Sequence, residues 1–422
     1  MWRSHPLRRE ASPQPLSSCA EGAGSFNQDS TRFATIAAMV AVALRQPLSI
    51  FAILIVAAPL VACASRPESG FLSPVAESAA GASDHTLLVA STRERDARPG
   101  TLFNGERASS LDYASITVSI PPKHVPGKIE WPTTPPGDPN ADFVVRDETY
   151  LDGDKEFVRA LNAQLATRPR GSRKVLVFIH GYNTLFAEGL YRFAQVVDDS
   201  KAPGVPVLFT WASRGKLADY VYDTNSATAA RDELEHTLRL VAASDADQVN
   251  ILARSLGNWV TVEALRQIKI SGDLQHASKI GSVFLAAPDI DVDVFKSQMR
   301  RFGIPKKPFY IVLSQDDKAL WLSKFIAGGE GRVGADKDIE ELQALGATVI
   351  DLTDVKGTDS IDHDKFAQLA EVAPELRTVL ERGIATSPAA TLGESASVSP
   401  VAVAATAPLT ILGAPVKIFA GQ

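Results

Sequence analysis

Short apolar runs recur through the middle of the chain, and between them the apolar positions switch to helical spacing. The runs occupy residues 86–90, 114–120, 175–179, 206–210, 249–252, 282–286, 309–313 and 348–352, which predicts eight strands. The first two are joined without a helical pattern and read as antiparallel neighbours. The later ones alternate with helical segments, such as 227–243 with apolar Ala230, Leu234, Leu238 and Val241. Their runs are too apolar to leave one face wet, as expected of a parallel sheet covered by helices on both faces. Residues 86–383 therefore read as one large α/β domain, with no internal repeat.

The flanks have a different texture. An apolar stretch from Pro47 to Ala62 follows Arg45 and stops at Cys63. A basic start, an apolar core and small residues at the cut describe an export signal. Leu60-Val61-Ala62-Cys63 resembles the lipobox of bacterial lipoproteins, in which the cysteine becomes the lipidated first residue; plain cleavage or an uncleaved anchor are the alternatives. With Met39 as start the leader has ordinary proportions, which makes 1–38 an uncertain extension and 39–62 the signal. Ala64 after the cysteine is similar to lipoproteins sent to the outer membrane. Residues 63–85, rich in Gly, Pro, Ser and Ala, predict a flexible tether. Residues 384–422, nearly uncharged and rich in Ala, Ser, Thr, Pro and Val, predict a disordered tail.

A net charge of −6 with no basic cluster argues against nucleic acid. Neither a phosphate loop nor a dinucleotide fingerprint is present. Cys19 and Cys63 are the two cysteines, so a chain beginning at Cys63 keeps no free thiol, which suits an oxidising compartment. Asp289, Asp291 and Asp293 alternate with apolar residues as in a turn leading into a helix, and no His or Cys accompanies them. No metal and no organic cofactor is expected.

Chemistry concentrates behind the run 249–252. Ala253-Arg254-Ser255-Leu256-Gly257 places a serine between small residues where a buried strand gives way to a helix, the layout of a nucleophile elbow. Such a turn exposes Ser255 Oγ above the sheet edge and turns the Leu256 N–H toward a developing oxyanion. A hydroxyl needs a base and a carboxylate to orient it. Of the seven histidines, His363 alone lies beyond all the strands and is the expected base. His180 ends the run 175–179 and reads as a packing or loop-shaping residue. For the acid, Asp317 is preferred over Asp316 and Asp289, each of which follows a later strand. In His180-Gly181-Tyr182-Asn183 the glycine lets the backbone turn, so that an N–H of Tyr182 or Asn183 supplies the second oxyanion donor. Trp211, Tyr220, Tyr222 and Trp321 read equally as an acyl-site lining or as ordinary core and surface aromatics.

At these residues the chain resembles the α/β-hydrolase superfamily, and within it a bacterial family of lipase/esterase-type hydrolases with no settled substrate. The resemblance runs from about 87 to about 380. It rests on Val118-Ser119-Ile120-Pro121-Pro122-Lys123-His124, Phe178-Ile179-His180-Gly181-Tyr182-Asn183, Trp211-Ala212-Ser213-Arg214-Gly215, Tyr222-Asp223, Ala253-Arg254-Ser255-Leu256-Gly257-Asn258 and Ala286-Ala287-Pro288-Asp289-Ile290-Asp291. It implies an eight-stranded α/β-hydrolase fold, Ser255 as nucleophile, the aspartate before Lys318-Ala319-Leu320 as acid, and His363 as base. Two departures stand out. Arg254 occupies a position where the family usually has histidine, and a permanent cation there favours an anionic substrate or the oxyanion, or bridges a nearby carboxylate. Asp362 and Asp364 flank His363 and would raise its pKa.

The expectation is thus a serine hydrolase acting on a small-molecule or lipid ester at the cell envelope, held to the membrane by an N-terminal lipid. The alternative is a hydrolase-fold envelope lipoprotein with little turnover and a binding or scaffolding role.

Overall fold

The computed structural model describes residue 66, residues 69–201, 203–272, 274–326, 328–356, residue 365, and residues 410–411 and 414–420. The strands are β1 (Ser83–Arg95), β2 (Phe103–Ile120), β3 (Val144–Leu151), β4 (Lys174–Ile179), β5 (Gly204–Thr210), β6 (Gln248–Arg254), β7 (Ile280–Ala286), β8 (Phe309–Leu313), β9 (Thr348–Asp351), β10 (Thr410–Ile411), β11 (Ala414–Pro415) and β12 (Lys417–Phe419). The helices are α1 (Gly153–Ala166), α2 (Phe186–Ser200), α3 (Tyr220–Ala243), α4 (Gly257–Ile270), α5 (Leu274–Lys279), α6 (Val292–Phe302), α7 (Lys318–Ile326) and α8 (Ile339–Ala344).

Ten strands form one sheet in the order β12-β9-β8-β7-β6-β4-β5-β1-β2-β3, while β10 and β11 pair as a separate small ladder. The seven strands from β9 across to β1 are mutually parallel. On one flank β2 and β3 run antiparallel, and on the other β12 does. The architecture is the expected mostly parallel α/β-hydrolase sheet, but among the described residues it has ten strands rather than eight. Both additions escape an apolar-run search for a physical reason. In β3, the consecutive Arg146, Asp147, Glu148 and Thr149 put polar side chains on both faces, which a strand at the sheet edge tolerates. Lys417–Phe419 is three residues long inside a stretch expected to be a disordered tail, and it closes the sheet edge by pairing with Val349–Asp351.

The expected tether also needs correcting at its end. Phe71, Leu72 and Val75 are buried, Leu72 N–H donates to Gly100 O and Val75 N–H to Val145 O. The apolar side chains in this Gly/Ser-rich stretch give it something to bury, so from residue 69 onward it packs onto the domain.

Side chains alternate cleanly between the two faces of the sheet. In β4, Val175, Val177 and Ile179 join the cluster under α1, α3, α4 and α6, while Phe178 faces the other way. On that other face Leu190, Tyr191, Phe193 and Ala194 of α2 cover β1 and β5. The chain runs from β4 outward to β5, then returns to the other side of β4 for β6, β7, β8 and β9. Strand order reverses between β4 and β6, the crevice where a doubly wound sheet places its ligand.

Candidate active site

Ser255 sits at that reversal, one residue past β6. Its φ is +51°, the left-handed region that a side-chain-bearing residue enters only when its surroundings impose it. The surroundings here are identifiable. Ser255 N–H donates to Ala286 O at 2.9 Å, Asp289 N–H donates to Ser255 O at 3.2 Å, and the Asn258 amide donates to both Ser255 O and Ala286 O at 2.8 Å. Two glycines make room for the turn. A Cβ on Gly257 would lie 2.3 Å from His180 O, and one on Gly181 would lie 2.7 Å from Ser255 Cβ. The small-residue requirement inferred from the pentapeptide thus has a concrete cause: α4 and the end of β4 touch backbone to backbone.

Leu256 caps α4. The first bonds of that helix run from Asn258 N–H to Ser255 O and from Trp259 N–H to Leu256 O, so the helix itself offers the Leu256 N–H no acceptor. Tyr182 follows Gly181 directly, and its hydroxyl donates to Leu217 O. Asn183 fits the donor role less well, because its N–H already donates to Asp223 Oδ2 at 3.0 Å. Its φ of +55° turns the loop toward that carboxylate.

The three candidate acids separate by environment. Asp317 is buried just beyond β8, and its Oδ1 accepts the N–H groups of Ala319 and Leu320 at 2.9 and 3.0 Å, which caps α7. Asp316 faces outward and pairs with buried Lys365 at 2.6 Å. Asp289 is buried and holds three groups: Ser323 Oγ at 2.8 Å, Tyr220 OH at 3.3 Å, and Arg332 Nε at 3.3 Å as an ion pair. Its carboxylate ties α7 and α3 to the elbow. His363 lies outside the described residues. Arg254, the last residue of β6, is half-buried, and its charge is one of those felt by His180.

Behind the elbow stands a polar network that sequence reasoning missed. Arg93, at the end of β1, is fully buried and donates all five N–H groups to neutral acceptors. Nε reaches Thr210 Oγ1, Nη1 reaches Asn104 O and Ser213 O, and Nη2 reaches Thr184 O and His180 Nε2. Burial lowers its pKa to about 10, against the pull of Asp223 and Glu188. The His180 Nε2 also accepts from Trp211 N–H, while Nδ1 lies 2.8 Å from Gly181 O. That pattern assigns the proton to Nδ1 and makes the ring a neutral brace for the Gly181 turn. Burial, and then the Arg93 charge, push its pKa well below the ordinary range. Asp223, fully buried, collects Ser213 Oγ at 2.6 Å and the N–H groups of Asn183 and Arg214, and its desolvation outweighs those bonds to raise its pKa. The signal for Arg93 is faint: it opens the charged triplet Arg93-Glu94-Arg95 just past the apolar run 86–90.

Trp211 stacks on His180 with centroids 5.0 Å apart and is core rather than pocket. Tyr222 lies under the guanidinium groups of Arg107 and Arg214, and Trp321 faces outward. Asp291 accepts from Asp293 N–H and Val294 N–H as the cap of α6, which is the turn its sequence pattern indicated.

The profile of a family described as α/β hydrolases of unknown function, DUF900, matches residues 154–382. The chain belongs to that family. The matched segment opens at α1, contains the elbow, and continues through His363. No curated protein is matched. Among solved structures, the crystal structure of Aspergillus fumigatus lipase B is similar at 12% identity, over 39% of this chain and 43% of that one, with a TM-score of 0.26. Membership of this hydrolase family rests on the profile, with the fold agreeing. Among the described residues no helix is long and apolar enough to cross a membrane.

Proposed function

We propose that the protein is a serine hydrolase that cleaves carboxylic esters through a covalent acyl-enzyme. Ser255 Oγ attacks the ester carbonyl while His363 takes its proton, and Asp317 holds the imidazole in the required tautomer. The tetrahedral oxyanion rests on the N–H groups of Leu256 and Tyr182. His363 then protonates the departing alcohol. Water, deprotonated in turn by His363, releases the acid and restores the serine.

The observation that carries this reading is the backbone of Ser255, a non-glycine residue at φ +51° on a strand-to-helix turn at the switch point. The bonds from Ser255 to Ala286 and from Asp289 and Asn258 to Ser255 hold it there, and such strain gathers at reactive centres. A fluorophosphonate probe tests it. Wild-type protein should label, Ser255→Ala should not, and absence of labelling in both would end the reading. Rates across p-nitrophenyl esters of rising acyl length then define the substrate class.

The chain's location is part of the same proposal: export and lipidation at Cys63, a position outside the described residues. Cys63→Ala should move the protein from the membrane fraction to the soluble one.

A further inference from the structure

We propose that an exposed apolar rim beside Ser255, built from α7 and the segment 216–221, docks the protein's catalytic edge on an anionic lipid surface. Four large apolar side chains stand mostly in solvent there: Leu217 is 65% exposed, Val221 68%, Trp321 67% and Phe325 74%. Leu322 and Ile326 are exposed beside them. The helix is turned the wrong way for an ordinary surface helix. It buries Leu320 and Ser323 and presents Trp321, Leu322, Phe325 and Ile326 outward, with Trp321 and Phe325 stacked at 6.4 Å. Scattered exposed apolar residues need no explanation, but six on two segments tied to one carboxylate and to the site mark a docking surface.

Hydrogen bonds place both halves of the rim at the candidate nucleophile. Ser323 of α7 and Tyr220, next to Val221, share the carboxylate of Asp289, whose own N–H donates to Ser255 O. Tyr182, beside the glycine that touches Ser255, donates its hydroxyl to Leu217 O. The rim therefore adjoins the site from two segments rather than lying elsewhere on the molecule.

Charge selects the occupant. Lys216, Lys318 and Lys324 are interleaved with these apolar residues, and Asp219 is the one acid in the same two segments. Aromatic and aliphatic side chains with lysines at their margin suit a lipid interface, the rings at the acyl boundary and the ammonium groups among phosphates. Packing a second copy face to face would instead bring the lysines of both copies together. This surface is distinct from any lipid at Cys63. Its use, delivery of ester substrate from the lipid layer, rests on the hydrolase reading; the docking itself does not.

The test uses the full chain and vesicles of phosphatidylcholine and phosphatidylglycerol whose acyl chains carry bromine, which quenches tryptophan only on contact. Wild type should be quenched, Trp321→Phe should lose that component, and omitting phosphatidylglycerol should weaken it. Phe325→Ser should shift the half-quenching lipid concentration upward roughly tenfold. Equal quenching of wild type and Trp321→Phe would overturn the proposal. So would a dimer that dissociates on Phe325→Ser in a protein its lipid leaves unquenched. Hydrolysis of soluble p-nitrophenyl acetate without vesicles reports separately on the enzyme: quenching without hydrolysis sinks the hydrolase reading alone, and hydrolysis without quenching sinks the docking alone.

Discussion

Gly181 and Ser255 lie so close that a single methyl group on the first would stand 2.7 Å from the Cβ of the second. The neighbouring atoms on that side are the Arg254 carbonyl at 3.1 Å and Ser255 Oγ at 3.3 Å, so a substituent there meets backbone and nucleophile together. Gly181→Ala should therefore displace the Ser255 turn and lower kcat/KM by about 10²-fold, on the scale of losing an oxyanion donor. Gly331→Ala supplies the contrast, since its new Cβ would meet only Val292 Cγ2 at an ordinary 3.5 Å. Ester hydrolysis by the two variants, with circular dichroism to confirm folding, checks this; equal rates would show that the close contact does not govern the serine.

The elbow was legible because its cause is local: small residues must flank a serine where strand and helix touch. The parallel core was legible because its strands are buried on both faces and read as unbroken apolar runs. What escaped was set by tertiary contact. β3 carries Arg146, Asp147 and Glu148 on a strand that only pairing with β2 makes regular. Arg93 looks in sequence like a solvated charge, and only the folded chain surrounds it with Thr210, Asn104, Ser213, Thr184 and His180. Asp289 also pairs with Arg332, forty-three positions away in sequence (332 − 289), a partnership that its place after a strand does not reveal.

Arg93 yields the next expectation. Burial disfavours its charge, as the lowered pKa of about 10 shows, and five hydrogen bonds offset that cost. Removing the guanidinium leaves the carbonyls of Asn104, Ser213 and Thr184 buried without their donor, each worth about 1–3 kcal/mol. Arg93→Met should thus destabilise the fold by roughly 3 kcal/mol or more. Lysine keeps the charge but has three donors on one atom and cannot span the same five acceptors. Urea unfolding should rank wild type above Arg93→Lys, and Arg93→Lys above Arg93→Met.

At the C-terminal end of α2, two adjacent aspartates hold histidines from other segments. Asp198 meets His85 Nε2 at 2.9 Å, and Asp199 meets His124 Nε2 at 3.0 Å while Glu130 takes the His124 Nδ1 at 2.6 Å. Both ring nitrogens of His124 thus face carboxylates, an arrangement that needs the protonated ring. Burial alone would lower its pKa, but the bonds to Asp199 and Glu130 outweigh it and raise it. A raised folded-state pKa means the stabilisation is complete below the unfolded value and fades as pH climbs through the folded one. Asp198 works in the opposite sense. Its bond to His85 depresses its pKa to about 2, so its contribution is present above the unfolded value of 3.8 and fades as pH falls toward 2. Urea midpoints followed across pH should decline on the alkaline side of the His124 titration. His124→Asn should flatten that limb, whereas Asp198→Asn should reduce the acid limb and leave the alkaline one in place. An unchanged alkaline limb in His124→Asn would refute the assignment.

The choice of catalytic acid can be separated from stability because the three aspartates hold different structural duties. Asp317 caps α7 through Oδ1, and asparagine caps a helix about as well as aspartate. Asp317→Asn should therefore fold normally, yet it removes the charge that would stabilise the imidazolium of His363 and fix its tautomer. A loss in kcat of about 10³–10⁴ with KM little changed is expected, the scale on which a triad carboxylate acts. Asp289→Asn should fail differently. It leaves Arg332 with its buried charge unopposed, so unfolding should ease by about 3–5 kcal/mol, and activity should fall along with the folded fraction. Asp316→Asn removes the charge from a pair whose carboxylate is partly solvated, and the Lys365 ammonium keeps the carbonyls of Leu352 and Thr353 as acceptors. It should cost stability modestly and kcat little. Measuring kcat and the urea midpoint for all three variants places each in one of these patterns. A large kcat loss in Asp289→Asn or Asp316→Asn at full stability, with Asp317→Asn near wild type, would move the acid to that residue.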